Sequence, residues 1–190
     1  MDIVAADTSG KTKDSDHWFD RGVDRFATGT RIASVLPGAT LVRYQSVNTF
    51  AGKVLKAAHP EPIRVMCILD HGYVNVGNSY ESSVTGETHN WALIEFGSQV
   101  VGHHNFAEHE EAFGILAPVL NRSSHVVFLN CLVGRDPALL YKFAALWDCR
   151  VTGCTDTQTG LELVNIWKGE WVTVDPDKRY RRTTSHPLYG

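Results

Sequence analysis

Two residues of this chain have the chemistry of a nucleophile and its base, and each stands where an apolar run gives out. In "HVVFLNCLVGRDP" (125–137), Cys131 follows a buried-strand pattern and precedes a glycine and a helix start at Asp136-Pro137. In "IRVMCILDHGYVNVG" (63–77), His71-Gly72 takes the same place after a second apolar run. A thiol attacks a carbonyl as its thiolate, so at neutral pH it needs a base or a positive environment beside it. If the two runs are neighbouring parallel strands, one strand spacing of ~5 Å separates their ends, and both side chains project into one crevice. Gly72 and Gly134 would let a bound chain approach closely, and the N–H groups of Gly72 and Cys131 are placed to donate to a developing oxyanion. Asp70, Asn75 and Asn130 are the candidates to orient the imidazole.

A second concentration of reactive groups is "GHHNFAEHEE" (102–111), with His103, His104 and His109 among three glutamates. Its spacing is not that of H-E-x-x-H, so the expectation is a polar loop near the site rim and no metal or other cofactor. The cysteines Cys67, Cys131, Cys149 and Cys154 include no C-x-x-C pair, and they read as reduced thiols. Gly102, Gly134 and Gly153 form neither a dinucleotide-binding nor a P-loop pattern. The tryptophans Trp91, Trp147, Trp167 and Trp171 read as packing residues, with Trp167 or Trp171 a candidate cleft wall.

The elements that must position these groups alternate. Strand patterns fall at 2–6, 39–45, 63–69, 91–97, 125–130 and 149–155. A helix capped by Ser46 carries the stripe Val47, Phe50, Ala51, Val54, Leu55 and Ala58 and ends at Pro60. A second helix is predicted over 107–120, with Pro118 as a kink or early end. A third starts at Asp136-Pro137 and buries Leu139, Leu140, Phe143, Ala144 and Trp147. Residues 161–175 read as a hairpin turning at Lys168-Gly169. Such alternation predicts an α/β fold, a mostly parallel central sheet covered by helices with an antiparallel hairpin near the end.

The 190 residues suit one domain over 1–190, with solvated tails at 1–16 and 176–190. A 43% hydrophobic, 21% charged composition leaves little room for extensive disorder. A net charge of −3 gives no electrostatic reason for a nucleic-acid partner or an anionic membrane. The N-terminal stretch has no signal-peptide pattern and no run is long enough to span a bilayer. The expectation is a cytoplasmic protein or a domain of a larger exported one, its oligomeric state open.

The strand–His71-Gly72 and strand–Cys131 pair, on an alternating α/β chain, resembles the caspase-like cysteine peptidases, the group of caspases, legumains, gingipains and clostripain. It is most similar to a bacterial caspase-like domain found in large surface proteins, where an S-T-D-x-x-T-G-like turn follows, here "CTDTQTG" (154–160). The resemblance covers roughly residues 2–167. It implies a three-layer sandwich with helices on both faces of the sheet and a peptide or protein substrate. Cys131 would be the nucleophile, His71 the general acid/base, Gly72 part of the oxyanion hole with Cys131, and Asp156 a substrate-binding residue. This chain has Leu129-Asn130 before the cysteine, and only 18 residues (132–149) separate it from the next strand region, too few for maturation into two chains there. The resemblance thus points to a cysteine endopeptidase. The rivals are a non-catalytic binding or structural module of the same fold and a metal-dependent hydrolase centred on His71, His103 and His104.

Overall fold

The apolar runs of the sequence form the middle of a seven-stranded sheet. The computed structural model describes residues 1–7, 36–156 and 169–188. In chain order its strands are β1 (Asp2–Asp7), β2 (Thr40–Tyr44), β3 (Val65–Leu69), β4 (Gly72–Glu81) and β5 (Thr88–Phe96). There follow β6 (Gln99–Gly102), β7 (His125–Phe128), β8 (Arg150–Cys154), β9 (Trp171–Val174) and β10 (Tyr180–Thr183). The helices are α1 (Val47–Ala58), α2 (Glu110–Gly114) and α3 (Pro137–Trp147).

The large sheet has the order β10-β9-β8-β7-β3-β1-β2. Its strands β8, β7, β3, β1 and β2 run parallel, and β9 and β10 are antiparallel additions. Strands covered on both faces read as unbroken apolar runs, which is why β1, β3 and β7 were legible. Their residues alternate between two cores with the two-residue period of a strand. Ile3, Ala5, Met66, Ile68, Val126 and Phe128 enter the larger core, whereas Val4, Ala6, Cys67, Leu69, Val127 and Leu129 enter a smaller one on the other face.

All three helices contribute to the larger core. Among the described residues none packs on the opposite face, which Leu36, Trp171 and Leu188 help to cover. The Ser46 side chain accepts from Thr49 N–H to start α1, whose buried residues Val47, Phe50, Ala51, Val54 and Ala58 are the predicted stripe except for Leu55, which is half-buried. Asp136 caps α3 with Pro137 in its first turn, also as predicted. Phe113 meets Phe50, Phe96, Phe143 and Trp147 edge-on and stacks on Phe106, at centroid separations of 5.0–6.2 Å, joining the helices to β5.

Three expectations are corrected, and a fourth falls partly outside the described residues. The helix predicted over 107–120 is a 3-10 turn at Phe106–Glu108 followed by the short α2. A proline ring at 118 meets the carbonyl of residue 114 in a continuous helix, so the helix ends at Gly114. The strand at 91–97 is longer and lies outside the parallel sheet, in a separate antiparallel sheet ordered β4-β5-β6. Residues 2–6, placed both in a strand and in the solvated tail 1–16, lie in β1, a largely buried strand between β2 and β3, and part of 176–190 is the edge strand β10. The first arm of the hairpin expected over 161–175 lies outside the described residues, and its second arm is β9, paired with β8 and β10.

Candidate functional site

The strands that end in His71 and Cys131 are neighbours. β3 and β7 pair in parallel from Val65↔His125 to Ile68↔Phe128. Leu129 N–H continues the ladder by donating to Ile68 C=O at 2.9 Å. Just past that bond lie Asp70, His71 and Gly72 on one chain and Asn130 and Cys131 on the other.

His71 is gripped through its main chain. Its N–H donates to Asp70 Oδ1 at 2.7 Å. Its carbonyl accepts from Glu95 N–H at 2.9 Å and from Asn130 Nδ2 at 3.2 Å. Two of the candidate orienting residues, Asp70 and Asn130, therefore both reach His71, and both through its backbone. Asn75, the third, sits in β4 and its side-chain oxygen accepts from Gly77 N–H at 3.1 Å.

Gly72 explains how the ends come so close. A Cβ there would be driven into the Cys131 carbonyl oxygen and would lie 3.1 Å from the Cys131 nitrogen. Only a residue without a side chain permits this contact. Gly72 also opposes Ile94 in the β4–β5 ladder, and the Glu95-to-His71 bond makes 72–94 a pair that exchanges no hydrogen bonds. The alternation of the ladder therefore directs Gly72 N–H off the outer edge of β4.

After Cys131 the chain turns abruptly. Leu132 has φ 63°, the left-handed region that leucine rarely adopts. Its N–H donates to Asp156 C=O at 3.1 Å, so the turn is tied to the end of β8. A Cβ on Gly134 would lie 2.5 Å from Gly153 C=O, so this turn packs directly on β8 before α3 begins. Strain of this kind concentrates at functional turns. Asp156 thus reaches the Cys131 loop, with its main-chain carbonyl in a supporting role.

The thiols differ sharply. Cys67, Cys149 and Cys154 are buried, while Cys131 is partly exposed. Burial pushes the Cys67 and Cys149 thiols up to about 12 and Cys154 up to about 11. Those three are inert side chains of the interior.

On the other side of His71 is a carboxyl cluster that the sequence reading only touched. Ala6 pairs with Leu69, so Asp7 and Asp70 follow side by side at the ends of β1 and β3. Asp70 is 1% exposed and its Oδ2 accepts from Gly97 N–H at 2.9 Å and Tyr44 hydroxyl at 3.1 Å. Burial, then the Asp7 charge, raises its pKa well above the carboxylate range, against the opposing effect of its backbone hydrogen bonds. Tyr44 is likewise raised by burial and by Asp70.

The histidine-rich stretch does not converge. His103 stacks on Tyr80 with centroids 5.0 Å apart, and His104 stacks on Trp91 at 5.2 Å. His109 meets Phe113 edge-on at 6.4 Å. Among the described residues no group of three His, Cys, Asp or Glu side chains is disposed to hold a metal ion. Trp171 is fully buried and so forms no cleft wall, and Trp167 lies outside the described residues, as does much of the turn motif 154–160.

The residue that sequence reasoning undervalued is Asp136. Beyond capping Leu139 N–H at 2.8 Å, it accepts from Ala92 N–H at 3.0 Å and from the Tyr80 hydroxyl. One buried carboxylate thereby fixes the small sheet to the start of α3, next to the Cys131 turn. Its Asp-Pro signature was visible, but its partners 44 and 56 residues away were not. Also among the described residues, no helix is long and apolar enough to cross a membrane. No family model, curated protein or solved structure matches this chain.

Proposed function

We propose that the chain is a cysteine endopeptidase with Cys131 as nucleophile and His71 as general acid/base, on a three-layer sandwich of the caspase-like type. The observation that carries this reading is the meeting of the two strand ends, with Gly72 packed on the Cys131 main chain beyond the β3–β7 ladder. Three further features support it. Cys131 is the partly exposed thiol of the four, it precedes a strained turn, and Gly72 N–H points out of its ladder.

In this mechanism the Cys131 thiolate adds to a peptide carbonyl and the oxyanion is held by the N–H groups of Gly72 and Cys131. The C–N bond breaks as protonated His71 gives its proton to the departing amine, leaving a thioester. Water, deprotonated by neutral His71, then adds to the thioester, and the acid product leaves with the thiol restored. Asp156 is proposed to contribute to substrate binding from the far side of the turn. No cofactor enters the sequence of steps.

The test is cleavage of an unfolded protein and of a pooled fluorogenic peptide set by the wild type and by Cys131→Ala and His71→Ala. Both variants should keep the native melting profile and lose turnover by at least about a thousandfold, as removal of a nucleophile or its base does. Undiminished cleavage by purified Cys131→Ala would refute the assignment.

A further inference from the structure

The Asn130 side chain connects the nucleophile's strand to the base. It is the residue before Cys131, fully buried, and its Nδ2 donates to His71 C=O at 3.2 Å. The β3–β7 backbone ladder reaches Leu129 and Ile68, and the Asn130 amide carries the cross-strand connection past that point. The other two groups that grip His71, Asp70 and Glu95, belong to β3's own continuation and to β5. They fix His71 to its own side of the site. Asn130 fixes it to the Cys131 side.

The chemistry of the asparagine argues against a filler role. Among the described residues nothing donates to Asn130 Oδ1, although the side chain is 0% exposed. An amide oxygen buried without a donor costs stability that an apolar side chain of similar size would not. The donor to the His71 carbonyl must be the NH2 end, which settles the amide orientation and leaves the oxygen as the unsatisfied atom. A leucine here would avoid that cost but could not donate a hydrogen bond to the base-bearing peptide, as Asn130 does.

We infer that Asn130 is a positioning residue that holds the His71 peptide at the distance and angle at which its imidazole activates Cys131. The inference rests on the Cys131–His71 pairing proposed above. It adds a determinant of that pairing that neither the strand ends nor Gly72 supplies. Without the amide, His71 keeps its bonds to Asp70 and Glu95 but is no longer referenced to β7, and the imidazole samples orientations that miss the thiol.

The test follows alkylation of Cys131 by iodoacetamide between pH 5 and 10 in the full chain, read by mass spectrometry of the peptide carrying Cys131. It compares the wild type, H71A, N130A and the double variant H71A/N130A. H71A should slow alkylation at pH 7 and move the midpoint up towards an ordinary thiol. N130A should slow it about tenfold and move the midpoint in the same direction, while adding nothing in the H71A background, because the two act as one unit. N130S, whose hydroxyl is too short to span to the His71 carbonyl, should match N130A and decides the question should N130A fail to fold. If H71A shifts the profile but N130A and N130S do not, or if the N130A effect persists undiminished in the H71A background, Asn130 does not act through His71. If H71A itself leaves the profile unchanged, the pairing fails, and this inference falls with it.

Discussion

Gly72 Cα lies directly against the main chain of Cys131, so close that a methyl group on it would overlap the cysteine carbonyl. Two residues 59 positions apart, one just past the end of β3 and the other just past the end of β7, are thus in backbone contact beyond the parallel sheet. The contact has no side chain to tune it, so it is all or nothing: either the position is glycine or the two strand ends separate.

Gly72→Ala tests this directly. The added methyl must push the Cys131 peptide away, at a cost of about 1–3 kcal/mol as for other overpacked sites. The separated ends should cut peptide turnover by about a hundredfold even where the protein stays folded, because attack tolerates little misplacement. Melting curves and peptidase assays on the same preparation check both halves. A variant with native stability and activity would show that the contact is looser than it stands here.

How much of this was legible beforehand follows from the kind of interaction involved. The strands β1, β3 and β7 and the stripes of α1 and α3 were readable because burial writes a period into the sequence. β4 was not, since most of "GYVNVGNSYE" is exposed or half-buried and carries no core-facing alternation. At the site, His71, Gly72 and Cys131 stood out because they interrupt apolar runs. The Asp70–Tyr44–Gly97 and Asp136–Ala92–Tyr80 networks did not, because each joins one carboxylate to donors dozens of residues away. Such bonds leave no local pattern.

Asp136 should be a costly position to substitute, although it lies outside the dyad. Asp136→Ala removes a helix cap worth ~1 kcal/mol and leaves Ala92 N–H buried without an acceptor, a further loss of ~1–3 kcal/mol. For a domain of this size each kcal/mol moves the melting temperature by about 2–4 °C. The combined loss of about 2–4 kcal/mol should therefore lower the melting temperature by about 4–16 °C in thermal denaturation. Tyr80→Phe, which removes one of the three donors, should lose only about 1 kcal/mol. Equal melting temperatures for Asp136→Ala and wild type would mean that the small sheet docks by apolar packing alone.

Acid should weaken the fold through His125. Its ring is hydrogen-bonded to Thr152 Oγ1 at 2.8 Å, and that hydroxyl in turn meets Thr173 Oγ1 at 2.8 Å. Burial, helped by Arg150 and Arg181 and opposed by Asp175, lowers its pKa to about 4. Between pH ~6.5 and about 4 the unfolded chain binds a proton that the folded chain refuses, so stability falls as the pH drops through that window. His186, lowered by burial to about 4, acts in the same sense, and Asp70, raised by burial, acts in the opposite one. Denaturant titrations at pH 4.5 and 7.5 isolate the His125 share by comparing wild type with His125→Gln. The variant should lose less stability on acidification. Parallel losses would mean that His125 binds its proton as readily folded as unfolded.

The strained turn after Cys131 separates stability from activity. Leu132 holds φ 63°, a conformation that costs a leucine ~1–2 kcal/mol and a glycine little. Leu132→Gly relieves that strain, while larger unfolded-state entropy takes back roughly 0.5–1 kcal/mol and loss of the half-buried leucine side chain about another 1 kcal/mol, so the folded state should change by no more than about 1 kcal/mol in either direction. The nucleophile should respond differently. Its position is set by a turn that the leucine side chain restricts and that the Asp156 carbonyl anchors through Leu132 N–H. A glycine keeps that bond but widens the φ and ψ range beside Cys131, so kcat should fall several-fold with KM nearly unchanged. If instead Leu132→Gly melts well below wild type and retains full kcat, the left-handed residue serves only to route the chain from β7 to α3.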